Sequence, residues 1–182
     1  MHKIDWDESY KKSIDYRLVS GKEVDEYIKL LDGQPKHTHL DIGCGTGQLT
    51  RELFHQGFKT TGIDPSAAAI AIARSRTTQP IHYEMADIFS FDRAPSDKLY
   101  DLITCRLVFA FVEDKEAFLR KAAQLLNKNG VLAILTPLQS NTPQEKQHIA
   151  VDPEETTELL RQHFITRAYD FDNLKLFVCT LR

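Results

Sequence analysis

Leu40-Asp41-Ile42-Gly43-Cys44-Gly45-Thr46-Gly47 constrains this chain more than any other stretch. An apolar run enters three glycines at alternate positions, and a helix-forming stretch follows from Gln48 to Gln56. That succession predicts a strand, a tight turn and a helix start. Glycine tolerates positive φ and lets a ligand come up against the backbone. The helix start offers N–H groups and the positive end of a dipole to a carboxylate or phosphate. Asp41, an acid at the strand end, repels anions and suits a cationic or hydroxylated ligand. A zwitterionic amino-acid moiety fits this pairing of donors and acid better than a pyrophosphate does.

The same turn separates competing nucleotide folds. A dinucleotide fingerprint needs Gly or Ala at the sixth place of G-x-G-x-x-G, and counted from Gly43 that place is Gln48. The phosphate-loop pattern G-x-x-x-x-G-K-[ST] does not occur. The octapeptide instead closely resembles motif I of the class I S-adenosylmethionine-dependent methyltransferases, L-D-[IVL]-G-C-G-T-G. A structural glycine turn in some other α/β protein is the plainer alternative. The resemblance implies that Asp41, Gly43, Cys44, Gly45, Thr46 and Gly47 wrap the methionine part of S-adenosylmethionine, leaving S-adenosylhomocysteine as product.

Around the motif, apolar helices and strands alternate. Residues 22–31 read as a helix with Val24, Tyr27, Ile28 and Leu31 on one face. Strands are expected at about 38–42, 58–63, 81–85, Tyr100–Cys105 and Val131–Thr136, the last stopped by Pro137. Helices are expected to end near Gly57, to run from the Asp64-Pro65-Ser66 turn to about Arg74, and to span Asp114–Asn127 before an Asn129-Gly130 turn. Pro153–His163 has proline and acids in its first turn, as helices do. Strands at about 164–171 and 174–181 meet at Asp172-Asn173 as a hairpin.

Repeated β-α units imply a doubly wound parallel sheet with helices on both faces, and the hairpin adds an antiparallel edge. The methyltransferase fold is similar: Rossmann-like, seven-stranded, mostly parallel, its last strand reversed. The expectation is one α/β methyltransferase domain over residues 1–182, with 1–21 as an N-terminal segment and candidate lid, and 22–182 as the core.

In such sheets ligands bind beyond the carboxyl ends of the strands. Past the second strand stand Asp64 and Pro65. A carboxylate there can accept bonds from both ribose hydroxyls, and the resemblance gives Asp64 that role; capping the next helix is its structural alternative. Past the third strand, Ala86, Asp87 and Ile88 sit where the family places room for adenine, an acid against its amino group and a backbone N–H against a ring nitrogen. An exposed loop acid is the alternative for Asp87. Past the fourth strand, the family supplies a main-chain carbonyl to the cofactor, which falls on Cys105 or Arg106; Arg106 reads equally well as a surface cation.

Composition narrows the rest. A length of 182 residues suits a single domain, and 42% hydrophobic with 27% charged content is globular usage. The net charge of −3, with acids and bases mixed, carries no basic block that would call for nucleic acid. Three dispersed cysteines suit reduced thiols rather than a disulfide frame or zinc site. Acids stand where a signal peptide would have its apolar core, and no run reaches membrane-spanning length. These features predict a cytoplasmic protein, monomer or homodimer, off the membrane. His37 and His39 point away from the site, so no metal is expected.

The resemblance has two departures. Where many small-molecule methyltransferases carry histidine after strand four, this chain has Val108-Phe109-Ala110-Phe111-Val112. The usual R-x-L-K-P-G-G run is reduced to Gln124-Leu125-Leu126-Asn127-Lys128-Asn129-Gly130. No general base is singled out, and none is demanded: alignment and desolvation of the acceptor can lower a barrier by about 7–11 kcal/mol. Trp6, Tyr10, Tyr16, Phe109, Phe111 and the loop Leu138–Asp152 are candidate contacts for a small-molecule methyl acceptor. Stapling the N-terminal segment to the core is the competing role for its aromatics. An RNA or protein methyltransferase, and a non-catalytic S-adenosylmethionine-binding module, are the alternative functions.

Overall fold

The computed structural model of the protein describes residues 5–11, 17–31, 38–91 and 99–182. Two compact units divide the chain, residues 1–91 and 92–182. All seven strands belong to one sheet, mostly parallel and ending in antiparallel strands, in agreement with the sequence reading. Among the described residues no helix is long and apolar enough to cross a membrane.

The first unit holds helices α1 (Trp6–Lys11) and α2 (Gly21–Lys29), then strand β1 (Thr38–Ile42), helix α3 (Gln48–His55), strand β2 (Lys59–Asp64), helix α4 (Ala67–Ser75) and strand β3 (His82–Met85). Its strands lie in the order β3-β2-β1, all parallel, with Leu40 opposite Thr61 and Gly62 opposite Tyr83. Two of its helices are capped locally. The Ser20 hydroxyl accepts the Glu23 N–H at α2, and the Ser66 hydroxyl accepts the Ala69 N–H at α4. Leu40, Leu53, Ile63, Ala69 and Ala73 are fully or almost fully buried between the sheet and its helices.

The second unit carries strand β4 (Tyr100–Arg106), a 3-10 turn at Phe109–Phe111, helix α5 (Lys115–Leu125) and strand β5 (Leu126–Pro137). After the loop come helix α6 (Pro153–His163) and strands β6 (Ile165–Phe171) and β7 (Leu174–Thr180). The order is β4-β5-β7-β6, with β4 parallel to β5 and both later pairings antiparallel. The loop at 138–152 is tightly closed: Gln139 N–H donates to the Val151 carbonyl at 2.9 Å, and Leu138, Ala150 and Val151 are buried.

Two features differ from the sequence reading. The helix expected to reach Asn127 stops at Leu125, and the next strand begins at Leu126 rather than Val131. Asn129-Gly130 is therefore no turn between elements but part of a bulge, since Tyr100 faces Leu126 while Leu102 faces Val131. Asn127 Nδ2 ties the bulge back to Asp101 Oδ1 at 2.5 Å. Gly130 fits because a β-carbon there would stand 2.7 Å from the Tyr100 carbonyl oxygen. The second difference is α1, six residues that local propensity alone does not hold as a helix.

His39 is a core residue of β1, edge-on to Phe58 at 6.3 Å between centroids; His37 lies outside the described residues. Burial holds the His39 imidazole down at about 3. Below its ordinary value of 6.5, the unfolded chain takes up a proton there that the folded chain refuses. Stability from this group is therefore complete above that value and falls as pH drops through the window toward 3, at about 1.4 kcal/mol per pH unit. Urea unfolding of the wild type and His39→Leu at pH 6 and pH 5 should show the wild type losing roughly that much more over the step. Parallel losses would mean that His39 is protonated in the fold.

Candidate functional site

Strand β1 delivers the chain into a turn in which Gly43, Gly45 and Gly47 all have positive φ, at 69°, 53° and 76°. The Gly43 and Cys44 N–H groups both donate to the Ile63 carbonyl, at 2.8 and 3.0 Å, so the turn is joined to the end of β2. The Thr46 carbonyl accepts the Arg51 guanidinium at 2.7 Å. Gly47 then starts α3 with no side-chain cap. The other helices of eight or more residues begin at Ser20, Ser66, Asp114 or Asp152, each accepting a backbone N–H. The start of α3 is thus the one among these whose donors no capping side chain covers.

Asp64 closes the turn from the end of β2. Its Oδ2 accepts the Gly45 N–H and its Oδ1 accepts the Ser66 N–H, both at 2.9 Å. Only 5% of the residue is exposed. Burial raises its pKa above the ordinary carboxylate value, against the opposing pull of those two N–H bonds. Each carboxylate oxygen has a second lone pair, so bracing the turn leaves acceptor capacity for a hydroxylated ligand. Asp41 is equally buried and its Oδ2 takes the Thr50 hydroxyl at 2.7 Å, which ties β1 to the first turn of α3. Pro65 is exposed.

Two tyrosines pack closely over the turn. A β-carbon on Gly45 would stand 2.7 Å from Tyr10 Oη, and one on Gly47 2.5 Å from Tyr83 Oη. Gly62, in β2, is overlaid by the Tyr83 ring and Cys44 Sγ in the same way. Burial pushes the Cys44 thiol up, so it stays protonated and serves as packing. Tyr10 sits beside Trp6 in α1, ring centroids 6.4 Å apart. Asp7 fastens that helix: its Oδ1 accepts the Ser66 hydroxyl at 2.5 Å and the Ala68 N–H at 3.2 Å, and these bonds hold its carboxyl below the usual range.

Past β3, the Ala86 N–H donates to the Asp64 carbonyl at 3.1 Å, and Ala86 and Ile88 are buried. Asp87 is exposed, and its Oδ1 accepts the N–H groups of Phe89 and Ser90 and the Ser90 hydroxyl. Met85 and Phe89 flank it as exposed apolar side chains.

In the second unit, Cys105 is fully buried in β4 and Arg106 is the half-buried last residue of that strand. Leu107 follows with a φ of 59°, a left-handed conformation rare for leucine, and its N–H donates to the Leu135 carbonyl at 2.7 Å. That reversal sends Phe109 inward. Rather than facing an acceptor, Phe109 has no exposed surface and packs edge-on against Phe118 at 5.5 Å, because the 3-10 turn points it into the core. Phe111 is half-buried.

The first unit therefore brings Asp41, the Gly43–Gly47 turn, Asp64, Ala86, Trp6 and Tyr10 together. Cys105, Arg106, Phe109 and Phe111 belong to the second unit, and Tyr16 lies outside the described residues. Sequence reasoning missed Asp7, Tyr83 and Gln48, whose Oε1 accepts the Val19 N–H at 3.0 Å. For Gln48 a signal existed, since it stands where a dinucleotide turn would need glycine. Among the described residues no group of His, Cys, Asp and Glu could hold a metal ion.

Comparison with known proteins adds relatives to this geometry. The sequence model of a family described as a methyltransferase domain matches residues 15–173. A ubiquinone biosynthesis O-methyltransferase of Rhodopseudomonas palustris is 35% identical over 100 residues, covering 53% of this chain and 38% of that protein. A trans-aconitate 2-methyltransferase of Variovorax paradoxus is 32% identical over 155 residues, 83% of this chain and 57% of that protein. The chain thus spans only about half the length of the curated relatives it matches. The fold is shared with the N-methyltransferase NodS of Bradyrhizobium japonicum in complex with S-adenosylhomocysteine, at a TM-score of 0.73, 21% identity and coverage of 96% and 97%. It is shared too with the plantazolicin methyltransferase BpumL, at 0.72, 19% identity and coverage of 87% and 82%.

Removing the Asp64 carboxylate leaves two buried N–H donors without their acceptor. Asp64→Ala should lose about 1–3 kcal/mol in urea unfolding for each donor that water cannot reach, and Asp64→Asn, which keeps one acceptor, should lose less. Equal stability of all three proteins would show that the turn stands without Asp64.

Proposed function

The chain belongs to the methyltransferase-domain family, and from that premise we propose that it moves the methyl group of S-adenosylmethionine to a small-molecule acceptor. The observation that carries the proposal is the double grip of Asp64 beside the uncapped start of α3. Acceptors for ribose hydroxyls and donors for an amino-acid carboxylate stand on two sides of a turn whose three glycines all have positive φ. The cofactor fits these residues: a polar, zwitterionic end at Gly43–Gly47, a ribose at Asp64, and an adenine beside Ala86 and Ile88 with Met85 and Phe89 as apolar cover. Asp87 Oδ2 is then the acceptor for the adenine amino group, while Oδ1 holds its own turn.

The cofactor supplies a sulfonium methyl, already a strong electrophile. What the protein contributes is placement and dryness. Asp64 fixes the ribose, the α3 N–H groups neutralise the carboxylate, and Tyr10 and Trp6 cover the turn against water. Positioning on this scale is worth about 7–11 kcal/mol, enough to work without a dedicated base. The family match runs through both compact units, which supports one functional domain over 1–182. The names of the curated relatives support a small-molecule acceptor. Three free thiols support a reducing, cytoplasmic setting.

Calorimetric titration with S-adenosylhomocysteine, with NAD as control, tests the reading. A Kd on the order of micromolar for the first ligand alone is expected; no binding by the folded protein, or binding of NAD instead, would overturn it. Gly45→Val forces a branched side chain into a φ of 53° and within 2.7 Å of Tyr10 Oη. The variant should bind S-adenosylhomocysteine about ten- to a hundredfold more weakly. Unchanged affinity would place the ligand elsewhere.

A further inference from the structure

The N-terminal segment is fastened to the first unit at two places, and both are helix starts that flank the glycine turn. Asp7, in α1, accepts the Ser66 hydroxyl at 2.5 Å and the Ala68 N–H at 3.2 Å, which caps α4 from outside. Farther along, the Val19 N–H donates to Gln48 Oε1 at 3.0 Å, and Gln48 Nε2 donates to the Val19 carbonyl at 3.5 Å. The Gln48 amide thus pairs with the Val19 backbone as a neighbouring strand would, at the first residue of α3. One pin stands next to Asp64, the other next to Gly47. On α1, one helical turn beyond Asp7, the Tyr10 hydroxyl lies directly over Gly45.

We propose that Tyr10 is a binding residue for the amino-acid end of S-adenosylmethionine, and that Asp7 and Gln48 are positioning residues that hold Tyr10 over Gly45. This rests on the methyltransferase reading above. A phenol donates one hydrogen bond and accepts others, so at this place it can bond a carboxylate that the α3 N–H groups also face. The two pins do different work. Asp7 sets the height of α1 against α4, and Gln48 holds Val19 at the start of α3. Gln48 is the residue that separates this turn from a dinucleotide fingerprint. Glycine or alanine there would leave the Val19 backbone pair unmade, so the departure and the pin are one feature.

The chain offers its own reporter, because its single tryptophan is Trp6, on the helix in question. The experiment titrates wild type, Tyr10→Phe, Asp7→Ala and Gln48→Ala with S-adenosylhomocysteine and with 5′-methylthioadenosine, which lacks the amino-acid end. Calorimetry and Trp6 fluorescence are read together. Tyr10→Phe should weaken S-adenosylhomocysteine about tenfold and leave methylthioadenosine unchanged. Asp7→Ala and Gln48→Ala should shift the same ratio about three- to tenfold, and in both the quenching of Trp6 by acrylamide should exceed that of the wild type. A variant that merely damages the fold weakens both ligands equally, and equal losses would overturn the inference. So would an unchanged ratio, or tighter S-adenosylhomocysteine binding by Tyr10→Phe, which would make the tyrosine a plug. Failure of the wild type to bind S-adenosylhomocysteine is a separate outcome: it overturns the methyltransferase reading and the inference with it.

Discussion

The hydrogen bond from the Gly45 N–H to Asp64 joins residues nineteen apart and sets the geometry of everything around it. It fixes the middle of the glycine turn against the end of β2. The other oxygen of the same carboxylate fixes the first residue of the cap before α4. Two strand ends and two helix starts therefore share one buried charge. Burying a carboxylate is costly unless hydrogen bonds offset the lost hydration, and here two backbone donors do so. The offset is incomplete, since burial still raises the pKa of Asp64. An acid held in this state gains from any further donor, and the hydroxyls of a ribose are donors. The same interaction is thus the brace of the turn and the source of its affinity for a hydroxylated ligand.

The glycines answer a second constraint, imposed from outside the turn. Positive φ alone would tolerate asparagine at some of these positions. The buried Tyr83 ring removes that latitude at Gly47, where a β-carbon would overlap it, and a β-carbon at Gly45 would push the Tyr10 hydroxyl aside. Tyr83 comes from β3 and donates to the Gly47 carbonyl at 3.3 Å. The turn is thus packed from one side by the sheet's own tyrosine and from another by α1. Backbone conformation and side-chain packing select the same residue type, which gives the motif its narrow composition.

Much of this was legible in the chain because it is local. The strand-turn-helix around Gly43–Gly47 and the position of Asp64 before a helix start can be read from residues within a few places of one another. The seven strands follow from apolar runs and their punctuation, and six of the expected strands lie within about a residue of the observed ones. The rest depends on partners far away in sequence. Helix α1 is polar and only six residues long; it is held by Asp7 reaching Ser66 across fifty-nine positions. The early start of β5 depends on Asn127 finding Asp101, twenty-six positions back, so Asn129-Gly130 reads as a turn until that bond is known. Phe109 follows a strand end and reads as a contact for the methyl acceptor, yet the left-handed Leu107 turns it into the core. In each case the missing information is a tertiary pairing, not a propensity.

Gln48 shows how an exclusion can carry positive content. Its presence rules out the close helix-to-strand approach for which a dinucleotide turn uses its last glycine. What the chain gains is an amide at the first position of α3, with one acceptor and one donor aligned to the N–H and C=O of a single residue, Val19. An amide side chain can satisfy both backbone groups of that residue, which a carboxylate, with acceptors alone, cannot. The segment before α2 is therefore docked at the turn by a pairing of strand type without a strand. A longer side chain at the edge of a glycine motif thus does here what insertion of a further element would do elsewhere: it holds the chain at Val19 against the start of α3.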